Sequence, residues 1–324
     1  MVCGADVPVW CMAELPTPDD IKAAVDRLRG HVRRTPMINP GSRTFGTDPS
    51  VELVLKLESL QHAGSFKARG SFNSALAAPP PSSGLIAASG GNHGIAVAHV
   101  ARALGVPAEI FVPAVSAPVK IERIRQRGAT VHVVDGVYDD AQIACDLRQV
   151  ETGAFSIHPF DAMLTLAGQA TMGVELVEQT AKLDAVVVAV GGGGLAAGLA
   201  LSIPHDVEII CVEPERSQCL RAALDAGKRT RVDVSGVAAD SLGARTIGDL
   251  AFRALEGRVQ SVLVSDQAIL DARRQLWEEV GVVAETGGAT ALAALTSGAF
   301  VAEPNSVLSV IVCGSNTDPS DLSL

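Results

Sequence analysis

The sequence predicts an α/β protein built on two doubly wound, open sheets of mainly parallel strands. Three observations carry this. Residues 85–149 alternate short apolar runs with helical stretches, β-α-β-α-β-α, with connections of only a few residues. Such alternation makes consecutive strands parallel, because each helix carries the chain back along the sheet. The same rhythm resumes on a larger scale from 164 to 313. Within it, Val186-Val187-Val188-Ala189-Val190 is wholly apolar, as a strand covered on both faces must be.

Each element has its local reason. A helix is expected over 18–29. Thr17 suits the N-cap, Pro18 the first helical position, and Asp19 and Asp20 the positive end of the helix dipole. Ile21, Val25 and Leu28 form one apolar face and Gly30 ends it. The first ~13 residues show no clear period and are expected to be disordered or to reflect an alternative start. Thr35-Pro36-Met37 opens an extended segment, 51–57 is an apolar run, and a helix over 70–77 stops at Pro79-Pro80-Pro81.

The next stretch reads as a strand over 85–88, a loop at 89–92 and a helix over 93–104 stopped by Gly105 and Pro107. A strand at 109–112, a helix at 119–127, a strand at 130–134 and a helix at 139–149 follow. Beyond it lie a helix over 164–179, the strand 186–190, a glycine loop and a helix to 201. A strand at 208–212 and a helix at 217–226 come next, and 231–246 is polar and irregular. Helices at 248–255, 267–280 and 288–295, with strands at 261–264 and 307–313, complete the chain. The expected division is a large discontinuous unit, residues 1–79 and 151–324, with a small mobile unit over 80–150.

Composition narrows the class. The chain has 324 residues, 48% hydrophobic and 19% charged, which suits a water-soluble enzyme of one large or two ordinary domains. Aromatics make up 3%, so the core must come from Ala, Val, Leu and Ile. A net charge of −10 and the lack of a basic stripe argue against nucleic acid or an anionic membrane as partner. No run has the length and apolarity of a bilayer span, and the N-terminus lacks a basic region followed by an apolar core, so a cytoplasmic location is expected. The six cysteines, Cys3, Cys11, Cys145, Cys211, Cys219 and Cys313, form no C-x-x-C pair and no zinc-type spacing.

Four stretches carry chemistry, all at strand ends, where open α/β sheets bind ligands. The first is Ser65-Phe66-Lys67-Ala68-Arg69-Gly70. A lysine amine is nucleophilic only when neutral, and apolar or cationic surroundings lower its pKa. Phe66 and Ala68 supply the former, and Arg69 is expected to supply the latter. The second is Gly191-Gly192-Gly193-Gly194, between a buried strand and a helix, where free backbone N–H groups make an anion site. Gly191-x-Gly193-x-x-Ala196, with Glu213 about twenty residues on, equally fits a dinucleotide fingerprint, so an NAD-binding oxidoreductase stands as the rival. The third is Ser89-Gly90-Gly91-Asn92-His93, either a β–α turn with an N-cap or a loop that binds a substrate carboxylate. The fourth is Cys313-Gly314-Ser315-Asn316, whose cysteine is either a buried thiol or a site residue.

Taken together, these motifs resemble those of the fold-type II pyridoxal-phosphate enzymes, the serine/threonine dehydratase and serine racemase family. The likeness runs from about Pro18 to Cys313, keeps the motif order, and includes H-P-F-x-x-x-x-x-x-x-G-Q at His158 to Gln169. It implies the tryptophan synthase beta-like fold and a pyridoxal 5'-phosphate cofactor joined to Lys67 as a Schiff base. It further implies that Gly191, Gly192, Gly193 and Gly194 hold the cofactor phosphate and that Asn92 bonds its 3′-oxygen. Phe66 would pack on the ring, Glu285 would be the acidic residue near it, and Cys313 would be the neutral partner of the pyridine nitrogen. Substrate carboxylate binding falls on Ser89, Gly90, Gly91, Asn92 and His93.

The chain departs from the racemases in two places. They carry serine at the position of Gly90. Their divalent cation site follows the strand ending in Val-Glu-Pro; here Glu213 is kept but Ser217 and Cys219 replace the other ligands, so no metal is expected. The implied reaction is deamination of a β-hydroxy amino acid such as L-threonine or L-serine to a 2-oxo acid and ammonia, by a homodimer. Hydroxyaspartate or another β-hydroxy amino acid, and serine racemisation, are the alternatives. Side-chain selectivity is placed in 237–245.

Overall fold

The structure, a computed structural model, describes residues 14–322; the expectation for the first ~13 residues lies outside them. The chain opens with α1 (Pro18–Leu28), β1 (Met37–Ile38), β2 (Glu52–Lys56) and α2 (Lys67–Leu76). There follow β3 (Leu85–Ala88), α3 (Asn92–Leu104), β4 (Ala108–Pro113), α4 (Pro118–Arg125), β5 (Thr130–Val134), α5 (Tyr138–Thr152) and β6 (Phe155–Ser156). Next come α6 (Met163–Gln179), β7 (Ala185–Ala189), α7 (Gly194–Ser202), β8 (Glu208–Pro214), α8 (Cys219–Ala226) and α9 (Ala239–Leu242). The last elements are α10 (Asp249–Leu255), β9 (Gln260–Val264), α11 (Asp266–Val280), α12 (Thr286–Thr296) and β10 (Val307–Ile311).

The strands form two sheets, ordered β1-β2-β10-β7-β8-β9 and β5-β4-β3-β6. Among the described strands only β1 runs antiparallel, pairing Met37 with Lys56; the other pairings are parallel. β7 lies inside the large sheet, with Val187 opposite Val310 on one side and Ile210 on the other. Its Val186, Val187 and Val188 are fully buried, as the unbroken apolar run required.

The start of α1 is a capping box. Thr17 Oγ1 accepts from Asp20 N–H at 3.2 Å, and Asp20 Oδ2 accepts from Thr17 N–H at 2.9 Å. Three local expectations need correction. The helix expected at 70–77 begins at Lys67, because two 3₁₀ turns over Glu58–Leu60 and His62–Gly64 have already turned the chain and Phe66 itself has helical dihedrals. The irregular stretch 231–246 contains the four-residue α9. β6 has two residues, too few to show any period in the sequence.

Two glycines of the motifs are packing residues. A Cβ at Gly168 would stand 2.6 Å from Gly70 Cα, so α2 and α6 cross backbone to backbone. Beneath α2 lies a buried ion cluster. Arg69, 1% exposed, donates from Nη2 to Glu58 Oε1 at 2.7 Å and to Glu175 Oε2 at 2.8 Å, and from Nε to Glu58 Oε2 at 2.9 Å. Lys56 Nζ donates to Glu175 Oε1 at 2.5 Å and to the Thr35 carbonyl at 2.9 Å. Two cations thus meet two carboxylates, and α2 is tied to α6 and β2.

Candidate active site

Lys67 and Cys313 meet because the chain before one pairs with the chain after the other. Phe66 N–H donates to the Cys313 carbonyl at 3.1 Å, and Ser65 bridges to Gly314. Lys67 is half-buried, its Nζ 5.0 Å from the Phe66 ring centroid and 2.7 Å from the Pro159 carbonyl, to which it donates. Burial lowers the Lys67 amine to about 8. Arg69 does not contribute as the sequence suggested; its guanidinium is turned into the ion cluster, where Glu58 and Glu175 neutralise it. Desolvation produces the shift.

One cavity brings together Phe66, Lys67, Asn92, the four glycines, Glu285 and Cys313. It is narrow, about 40 Å³. An open groove of about 620 Å³ lies at the opposite ends of the large-sheet strands, lined by Asp184, Asp206, Glu208 and Glu303; none of the four motifs reaches it.

The glycine loop leaves β7 and opens α7. Gly193 has φ of +87°, which only glycine adopts freely. A Cβ at Gly192 would stand 2.5 Å from the Phe160 ring, and one at Gly191 3.0 Å from Leu242 Cα. Among the described residues, the N–H groups of 191–195 donate to no backbone carbonyl. They are the orphan donors of a helix N-terminus, facing the cavity.

The loop after β3 is more selective than its sequence implied. Ser89 N–H is spent on the Phe111 carbonyl at 2.9 Å and Gly91 N–H on Ser89 Oγ at 3.2 Å. The free donors for a carboxylate are therefore the N–H groups of Gly90, Asn92 and His93. The His93 side chain points away, its Nε2 2.7 Å from the Ile157 carbonyl, and burial pushes it down to about 3, so it is a neutral structural imidazole. Asn92 Nδ2 donates to Glu285 Oε1, and its Oδ1 accepts from Asn316 Nδ2 at 2.7 Å. Glu285 Oε2 accepts from Lys120 Nζ at 2.9 Å. Burial, with Glu285 beside it, pushes the Cys313 thiol up to about 12, and its S–H donates to the Gly287 carbonyl at 3.4 Å.

Ser241 and Leu242 line the cavity; they lie in 237–245, the segment to which the sequence assigned selectivity, though it singled out neither. Phe160 also lines the cavity, and the H-P-F motif held its signal without a role. Lys120, which pairs with Asp240 beside the cavity, escaped the sequence reading. Glu213 does not face a ribose, as the dinucleotide rival required. Its two oxygens accept from Leu220 and Arg221 N–H, both at 2.8 Å, so it caps α8. Burial raises it to about 7. Among the described residues no three His, Cys, Asp or Glu groups cluster as metal ligands, and no helix is long and apolar enough to cross a membrane.

Residues 28–314 match the family described as pyridoxal-phosphate dependent enzyme. The chain belongs to that family. It is 35% identical to the L-threonine ammonia-lyase of Thermotoga maritima over 308 residues, 93% of this chain and 76% of the relative. The structure of maize serine racemase superposes with a TM-score of 0.88 at 31% identity, covering 96% of both chains. The T.th. threonine deaminase superposes with a TM-score of 0.85 at 35% identity, covering 94% of this chain and 99% of the other. The fold is thus that of the fold-type II pyridoxal-phosphate enzymes, and the NAD-binding rival falls. The residues fit the cofactor on their own chemistry: a desolvated lysine, unpaired N–H groups at a helix N-terminus and a neutral buried thiol share one cavity.

Proposed function

We propose that this pyridoxal-phosphate-dependent lyase deaminates L-threonine or L-serine: one water is eliminated, one is taken up again on hydrolysis, and a 2-oxo acid and ammonia are released. The observation that carries the proposal is the convergence of Lys67, the free N–H groups of 191–195 and the Cys313 thiol on one cavity. Pyridoxal phosphate, when bound, supplies the electron sink that accepts the pair left at the substrate Cα. Lys67 would hold it covalently, the N–H groups of 191–195 would bind its phosphate, and Phe66 and Asn92 would orient its ring. The Cys313 thiol, held protonated by burial, would offer the ring nitrogen a neutral partner.

The substrate carboxylate is placed on the N–H groups of Gly90, Asn92 and His93 at the start of α3. Lys67 Nζ, whose amine is neutral well below the ordinary lysine range, serves as the base at Cα. Loss of the β-hydroxyl then leaves an unsaturated amine that hydrolyses to the 2-oxo acid and ammonia. A neutral substrate side chain is favoured, because apart from Lys67, which is engaged at Cα, no Lys or Arg is among the described residues that line the cavity, and a second carboxylate, as in hydroxyaspartate, would find no partner. The reading includes a mobile unit over 80–150, a cytoplasmic location, as the lack of a signal-peptide pattern suggested, and a homodimer, as the resemblance implies.

The test is a panel of β-hydroxy amino acids assayed for 2-oxo acid, with borohydride trapping and peptide mapping of the cofactor. Trapping on Lys67 with turnover of L-threonine or L-serine is expected. Trapping on another lysine, or preference for hydroxyaspartate, would overturn the assignment.

A further inference from the structure

Lys120 is 2% exposed yet belongs to no motif. It sits on α4, next to β4 and β5 of the small sheet, and its Nζ reaches two carboxylates of the other unit. One is Asp240 Oδ2 at 2.7 Å, the other Glu285 Oε2 at 2.9 Å. Arg123, one helical turn along α4, donates to Asn316 Oδ1 at 2.6 Å and to the Thr317 carbonyl at 3.2 Å. With Asn92 bonded to both Glu285 and Asn316, the contacts form a chain across the cleft: Asp240, Lys120, Glu285, Asn92, Asn316, Arg123.

Asp240 belongs to a flap. The segment 232–245 leaves and returns at one point, where Val232 N–H donates to the Arg245 carbonyl at 2.8 Å. Its tip, α9, carries Asp240 beside Ser241 and Leu242, which line the cavity. The tip also lies on the loop after β3: a Cβ at Gly91 would stand 3.3 Å from the Asp240 carbonyl. Besides Lys120, Ser217 Oγ holds the tip by donating to the Leu242 carbonyl at 2.7 Å. The cavity beneath, about 40 Å³, is far smaller than the ~300 Å³ or more of sites that take small molecules. Entry of a substrate requires the flap and the small-sheet unit to part from the rest.

We propose that Lys120 is a positioning residue that latches the site shut, bridging the flap through Asp240 to Glu285 at the cofactor site, and that its release from Asp240 admits substrate. The order of release follows from solvation. The Asp240 side chain is 46% exposed and water replaces the ammonium at little cost, whereas Glu285, at 3%, cannot lose its cation without leaving a buried charge. Asp240 therefore lets go first, and Ser241 and Leu242 move with it. A latch of this kind acts on substrate capture more than on the chemical step. The inference rests on the lyase reading only for its kinetic arm.

The experiment compares the pyridoxal-phosphate-loaded wild type with Lys120→Met, Lys120→Arg and Asp240→Asn by amide hydrogen exchange and by L-threonine kinetics. Lys120→Met should speed exchange in 239–242 and in 92–94 and, because the site no longer closes over bound substrate, raise KM about tenfold with a smaller change in kcat. Lys120→Arg, which keeps the charge and the reach, should restore KM to within about threefold of wild type. Asp240→Asn, at an exposed position that tolerates change, should speed exchange in 239–242 and leave 92–94 as in the wild type. Unchanged exchange in 239–242 in both Lys120→Met and Asp240→Asn would overturn the latch. If Lys120→Met does not fold, Asp240→Asn decides alone. A wild type that turns over no β-hydroxy amino acid would sink the lyase reading instead, and exchange would still decide the latch.

Discussion

Replacing Arg69 by methionine separates two roles that its place in the lysine motif confuses. In the structure Arg69 makes three charge-assisted bonds within the ion cluster, two to Glu58 and one to Glu175, and Glu58 is fully buried. Methionine fills the volume of the stem but leaves Glu58 and Glu175 sharing the single charge of Lys56. Removing one partner of a buried pair costs about 3–5 kcal/mol, because the remaining charge has no water to turn to. At roughly 2–4 °C per kcal/mol for a large domain, the melting temperature should fall by about 6–20 °C. Urea unfolding of the cofactor-loaded protein measures the free energy directly. Arg69→Met/Glu58→Gln, which leaves Glu175 paired with Lys56, should recover part of the loss. The Lys67 amine should meanwhile stay near 8, since burial and not Arg69 sets it. A loss below about 1 kcal/mol would refute the account of the cluster, and a Lys67 amine returned to the ordinary range would reinstate Arg69 as its activator.

The other predictions concern the site itself. In cofactor-free protein, labelling of Lys67 by an amine reagent should rise with a midpoint near pH 8 instead of near the usual 10.5, as peptide mass mapping can show. Because the folded state binds that proton less tightly than the unfolded chain, stability should increase as pH rises between those two values; a decrease would contradict the burial. Cys313→Asp should keep the cofactor but lower kcat for elimination by at least about tenfold, since a carboxylate changes the proton balance at the ring nitrogen; a wild-type rate would mean that residue 313 does not face that nitrogen. The wild type should form 2-oxo acid without D-enantiomer in deuterated water. Gly90→Ser alone cannot test this, since a Cβ there would stand 1.9 Å from Ser116 Oγ, so Gly90→Ser/Ser116→Gly is the variant expected to raise racemisation relative to elimination on a chiral column.

What the sequence could show depended on whether a residue's constraint is local. Gly193 is required by its own backbone angle and Gly192 by the ring packed against it, so the glycine loop stood out. Lys67 was found through its neighbours Phe66 and Gly70, which are fixed by the same turn and the same helix crossing. Lys120, by contrast, looks like any lysine on an amphipathic helix. Its burial comes from carboxylates 120 and 165 residues further along the chain, and no period records that. Arg69 was visible but misjudged for the same reason, since the acids that neutralise it lie 11 and 106 residues away. The strand pattern was legible wherever a strand was long enough to alternate with a helix, and failed at the two residues of β6.

The positions of the sites follow from the strand orders. In the large sheet the chain leaves β7 for β8 on one side and reaches β10 on the other, so a crevice opens beyond the carboxyl ends of β7 and β10. The glycine loop follows the first of these strands and Cys313 the second. In the small sheet the same reversal occurs at β3, flanked by β4 and β6, and the loop 89–91 follows β3. One reversal therefore offers the groups suited to a phosphate and a ring nitrogen, and the other offers free N–H groups suited to a carboxylate. Lys67 starts the helix that leads from the first sheet to the second, and Ser65 is fastened to Gly314 immediately before it. On the proposed reading, cofactor contacts lie within one rigid sheet and substrate contacts cross between two. On the same reading, motion of the small unit would change what the substrate meets while leaving most cofactor contacts intact. Asn92 is the exception, since it belongs to α3 yet bonds Glu285 and Asn316, and through it the proposed closure at Lys120 would be felt at the ring.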